Sequence, residues 1–100
     1  MKFVLYARYI PDRDKVAAIR PAHRDYIASL FAQGRIAAAG PFADGSGGLF
    51  IYEAASPEEA AAMMAQDPYF VQGAYGSFEL TAWTPANANP ELFRLWPDGG

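Results

Sequence analysis

Five residues, Asp44-Gly45-Ser46-Gly47-Gly48, constrain this chain more than any other stretch. An apolar run lies on each side of them: Arg35 to Phe42 before, Leu49 to Ala54 after. A cluster of glycines with Asp and Ser is a turn signal. The run that follows, Leu49-Phe50-Ile51-Tyr52, has the branched and aromatic residues of a strand. The two runs therefore read as a hairpin, and any fold must be built around it.

The flanks supply the remaining elements. Lys2 to Tyr9 reads as a strand, with Phe3, Leu5, Ala7 and Tyr9 on one face and Val4, Tyr6, Arg8 and Ile10 on the other. Both faces carry apolar bulk, which predicts a central strand covered on both sides. Pro11 closes it, and Asp12 to Ile19 reads as a connection holding one loose helical turn. Arg20 to Gly34 reads as an amphipathic helix, with Pro21 at its first position and Gly34 just past its end. His23, Ile27, Leu30 and Phe31 form the stripe to be buried, with His23 near the helix start.

After the hairpin, Ser56-Pro57-Glu58-Glu59 is a helix start with a mechanism: a capping serine, a proline at the first position and two acids at the positive end of the dipole. That helix runs to Gln66, with Ala60, Met63 and Met64 inward. Asp67-Pro68 repeats the signal for a short piece ending near Gln72, and Ser77 to Thr84 reads as a fourth strand. The order strand, helix, strand, strand, helix, strand is the split βαβ, ferredoxin-like arrangement of the α+β class. Two helices cover only one face of such a sheet. An exposed apolar face is rare in a monomer, so the pattern predicts a homodimer packed sheet to sheet. The domain is expected to span residues 1–84. Residues 85–100 read as a tail whose Leu92, Phe93, Leu95 and Trp96 dock on their own or the partner subunit.

Composition enters by exclusion. There is no cysteine and a single histidine, so disulfides and thiolate metal sites are ruled out and no metal-ligand cluster is visible. The net charge of −3, with acids and bases mixed, shows no basic stripe for nucleic acid. The apolar start is too short for a secretory signal and no run is long enough to cross a bilayer. A cytoplasmic protein with no membrane or nucleic-acid partner is the expectation.

Chemistry then centres on His23. An imidazole exchanges protons near neutral pH, with an unperturbed pKa of ~6.5. As a general base it needs a group to hold its tautomer. Asp67 is the candidate: it follows the second helix, which lies beside the first and antiparallel to it. Either residue also has a plain structural reading, a satisfied core histidine and a helix cap. Arg20 could hold an anionic group, as could Arg8. Ser46 could present its hydroxyl from the glycine turn, and Tyr6, Tyr69 and Tyr75 could line a pocket.

Taken in order, Arg20-Pro21-Ala22-His23, Gly40-Pro41, the glycine-rich hairpin, Ser56-Pro57-Glu58-Glu59-Ala60 and Asp67-Pro68-Tyr69 resemble the YciI-like, or YCII-related, family up to about Trp83. The resemblance implies a dimeric α+β barrel of ferredoxin-like subunits. It also implies a His–Asp dyad at His23 and Asp67, and proton-transfer chemistry without a cofactor on small aromatic or lactone-like substrates. The resulting expectation is a lyase or isomerase with catalytic His23 and Asp67 and with Arg20, Ser46, Tyr6 and Tyr69 binding substrate. The competing expectation is a dimeric ligand-binding or interaction module without catalysis. A cofactor-free oxygenase is a third.

Overall fold

The computed structural model describes residues 1–94. Its elements are β1 (Lys2–Tyr9), α1 (Arg13–Ala32), β2 (Ile36–Pro41), β3 (Gly47–Glu53), α2 (Pro57–Gln66), α3 (Pro68–Val71) and β4 (Tyr75–Trp83), followed by a 3-10 turn at Pro90–Phe93. The strands form one antiparallel sheet in the order β2-β3-β1-β4. This is the ferredoxin-like α+β fold that the order of elements predicts.

The hairpin is built by its glycines. Gly45 has φ +74°, a left-handed conformation that glycine takes without strain. The Ser46 N–H donates to Asp44 Oδ1 at 3.0 Å and stiffens the turn. Gly47 answers to a different need. A Cβ there would stand 2.0 Å from the Ala7 carbonyl oxygen, so β3 can approach β1 only with hydrogen at this position.

β1 is central, as its composition suggests, but its two faces differ. Phe3, Leu5 and Ala7 are buried under the helices together with Phe50 and Tyr52 of β3. On the opposite face Val4 is half-buried and Tyr6 is exposed, with no element of the described chain above them. Ile51 and Leu49 of β3 and Trp83 of β4 share that open face.

The first helix departs from the sequence reading. It begins at Arg13, not Arg20, and Pro21 lies inside it. Asp12 is the cap, its carboxylate accepting the Lys15 N–H at 3.1 Å. An internal proline costs about 3 kcal/mol, because the carbonyl four residues back loses its donor. Here that carbonyl belongs to Ala17, and both Ala17 and Pro21 are exposed, so water can satisfy it. The added turns bury Val16 and Ile19, at about 1.5–3 kcal/mol for each side chain, which offsets the proline. The stripe therefore starts at Val16, and His23 sits mid-helix. The C-terminus follows expectation: Gly34 has φ +74°, and the Arg35 N–H reaches back to the Leu30 carbonyl at 2.9 Å.

The 3-10 turn carries Leu92 and Phe93, which are largely exposed in the single chain. Leu95 and Trp96 of the tail lie outside the described residues.

Candidate functional site

Two local signals converge at one point. α2 ends at Gln66, and Asp67 in extended conformation starts α3 by accepting the Tyr69 N–H on Oδ1 at 2.9 Å. Pro68 follows at the first position of α3. The cap also aims the carboxylate at α1. His23 Nδ1 lies 2.8 Å from Asp67 Oδ1 and 2.9 Å from Oδ2. Tyr75 adds an O–H donor to Oδ2 at 3.4 Å. Asp67 is wholly buried and His23 nearly so.

This geometry settles the tautomer. A carboxylate that already receives an N–H and an O–H is an acceptor, so Nδ1 of His23 must carry its proton toward it. Nε2 lies on the far side of the ring, away from the carboxylate, and carries the lone pair of the neutral imidazole. The ring is fixed from both sides. Tyr69 stacks on it with centroids 3.9 Å apart and planes at 18°. Phe50 meets it edge-on at 5.6 Å.

Around these residues the phenols are held neutral. Burial, then the neighbouring Tyr69, pushes Tyr9 up to about 12. Burial and the nearby negative charge of Asp67 raise Tyr75 and Tyr52 further. Arg20 donates its Nε–H to the Tyr69 hydroxyl at 3.1 Å, and that contact raises the guanidinium further above its ordinary range. None of the three raised phenols can act as a base near neutral pH.

His23 opens on a cleft of about 1140 Å³ between the flank of α1 and strands β2 and β3. Ile27, Phe31, Ile36 and Phe50 give it apolar walls, and Phe93 of the 3-10 turn also lines it. Among the described residues, Arg20 and Arg24 are its charged side chains besides His23. Among the described residues no group of three or more His, Asp or Glu gathers to hold a metal ion.

The structure brings His23, Asp67, Arg20 and Tyr69 together, and Tyr75 with them. It places Ser46 and Tyr6 elsewhere. Arg8 ties these two to each other, donating to the Ser46 hydroxyl at 2.8 Å and to the Tyr6 hydroxyl, and its guanidinium lies over the Tyr6 and Phe42 rings. Neither Ser46 nor Tyr6 lines the His23 cleft. Sequence reasoning passed over Arg24, Tyr9 and Phe50 as site residues. Tyr9 shares a face of the first strand with Phe3, Leu5 and Ala7, and Phe50 lies within the third strand, so strand alternation alone gives neither a role beyond packing. Arg24 falls off the buried stripe, and only the packing of β2 against α1 shows that a cleft runs beside that stripe.

A sequence model described as the YCII-related domain matches residues 1–84. An uncharacterized protein of Bacillus subtilis (strain 168), YjpA, is 42% identical over 59 residues, covering 59% of this chain and 66% of that one. The match thus spans just under two thirds of the curated relative. Among solved structures, 5-chloro-2-hydroxyhydroquinone dehydrochlorinase (TftG) of Burkholderia phenoliruptrix AC1100, in complex with 2,5-dihydroxybenzoquinone, superposes with a TM-score of 0.74 at 24% identity. That match covers 84% of this chain and 94% of the other, and establishes likeness of fold. No helix among the described residues is long and apolar enough to cross a membrane.

Proposed function

The chain belongs to the YCII-related domain family, and from that premise we propose that it is a cofactor-independent lyase or isomerase, acting as a cytoplasmic homodimer on a small aromatic or lactone-like molecule. His23 is the catalytic base and acid. Its Nε2 takes a proton from a carbon or hydroxyl next to a carbonyl or on a phenol, and returns it at the product position or to a leaving group. Asp67 holds the Nδ1–H and stabilises the imidazolium formed in between. Arg20 and Tyr69 keep the ring in place and help to seat the substrate. The observation that carries this reading is the contact of both Asp67 oxygens with Nδ1 of His23, a residue that also lines the cleft.

The apolar walls suit a flat ring, and the fold neighbour is described with a quinone bound. The open sheet face, bearing Tyr6 and Trp83 with the half-buried Val4, Leu49 and Ile51, supports a dimer that covers it. A monomer in light scattering at micromolar concentration would count against that part.

Proton transfer is testable without knowing the natural substrate. Small phenols and enolisable lactones are incubated with the protein in D2O, and solvent deuterium entering the probes is followed by NMR. His23→Asn keeps a side-chain N–H near the Nδ1 position but removes the base. The wild type should speed exchange of at least one probe, and His23→Asn should lose ~10²–10⁴ of that rate. No exchange above buffer with any probe, or equal exchange by the variant, leaves the non-catalytic module as the reading.

A further inference from the structure

We propose that the His23 cleft takes a substrate bearing a carboxylate, and that Arg24 is the side chain that recognises it. The inference rests on the reading of the cleft as a substrate site and adds the charge of the molecule that fills it.

The argument begins with an imbalance. The chain carries a net charge of −3, yet the charged walls of this cleft are Arg20 and Arg24, and no acidic side chain among the described residues lines it. The one carboxylate nearby, Asp67, is buried behind His23 and committed to three donor groups. Arg20 and Arg24 stand four residues apart on α1, so they face the same side and repel each other.

Four of the other five arginines have partners: Arg8 binds Ser46 and Tyr6, Arg20 binds Tyr69, Arg35 lies 3.7 Å from Glu59, and Arg94 pairs with Glu91. Arg13, at the start of α1, has none among the described residues but does not line the cleft. Arg24 is exposed in the cleft wall, with no hydrogen bond or ion pair to any described residue. A guanidinium presents a planar fork that fits a carboxylate bidentately. One uncommitted fork matches one singly charged planar group. Ile27 stands three residues from Arg24 and four from His23 on α1, and all three line the cleft, so an acid gripped by Arg24 would lay an attached ring along Ile27 toward His23.

The test uses a matched pair, 2-naphthoate and its neutral amide, 2-naphthamide, titrated against the protein while the His23 ring signals are followed by NMR. The wild type should bind 2-naphthoate more tightly than the amide. Arg24→Gln should weaken the acid about tenfold, the worth of a hydrogen bond to a charged group, and move the amide less than about twofold. Arg24→Lys should recover part of the loss. Equal binding of acid and amide, no binding of either, or full binding of the acid by Arg24→Gln overturns the inference. Tighter binding of 2-naphthyl phosphate than of 2-naphthoate overturns the carboxylate assignment. Binding is read without turnover. A protein that binds the acid through Arg24 but exchanges no protons keeps this inference and loses the proton-transfer reading. One that exchanges protons with no preference for the acid does the reverse.

Discussion

The carboxylate of Asp67 accepts the Nδ1–H of His23 at 2.8 and 2.9 Å and, in the same position, caps α3 through the Tyr69 N–H at 2.9 Å. Stability and the proposed chemistry therefore share one side chain. Asp67→Ala should cost about 2–4 kcal/mol in urea unfolding, because it strands the buried Nδ1–H of His23 and removes the cap of α3. Asp67→Asn keeps an acceptor for the cap but turns an N–H toward Nδ1 of His23 or the Tyr75 hydroxyl. It should cost about 1–3 kcal/mol and lower exchange activity less than His23→Asn does.

Tyr9, Tyr52 and Tyr75 all hold their protons more tightly in the folded protein than an open phenol, chiefly through burial. The unfolded chain releases such protons near ~10. Stability linked to these groups is thus complete below that pH and is lost as pH rises from there toward the folded values. An alkaline titration of phenolate absorbance should show these three residues ionising late, together with loss of the far-ultraviolet circular dichroism. Ionisation of all six tyrosines near ~10 with the fold intact would contradict the burial described for them.

The Tyr52 hydroxyl is buried and has no hydrogen-bond partner among the described residues. Removing an unsatisfied polar atom relieves its desolvation cost. Tyr52→Phe should raise stability by about 1 kcal/mol or leave it unchanged, as read by the urea midpoint.

Gly47 and Gly40 make a matched contrast. A methyl at Gly47 would collide with the β1 backbone, while one at Gly40 meets nothing within 4 Å. Gly47→Ala should cost about 3 kcal/mol or more, or prevent folding. Gly40→Ala should stay within about 0.5 kcal/mol of the wild type. Thermal melts of the two variants separate the cases.

Much of this architecture could be read from local chemistry. The glycine cluster, the Ser56-Pro57 cap and the Asp67-Pro68 cap are signals that act within a few residues, and each element they mark is present. The start of α1 was misread because proline is a strong local signal that tertiary burial outweighed: Val16 and Ile19 gain more by packing with Tyr69 and Ala74 than Pro21 loses in the helix. The His23–Asp67 contact spans 44 positions in sequence and was reached through the antiparallel packing of two helices and a family resemblance, not through spacing. The cleft itself was not legible. It is lined by residues of α1, β2 and β3 that lie far apart in sequence, which no window of residues encodes, so nothing local set Arg24 apart from a solvated arginine.

The register shift between Ile36 and Ala38 interrupts β2, and Pro41 ends it without a donor. A strand so broken is a poor template for another chain to pair with along its outer rim. Crowding many copies together should not knit them edge to edge through that side into fibrils. The proposed dimer through the broad, helix-free surface would instead draw its strength from burial of side chains and not from backbone pairing.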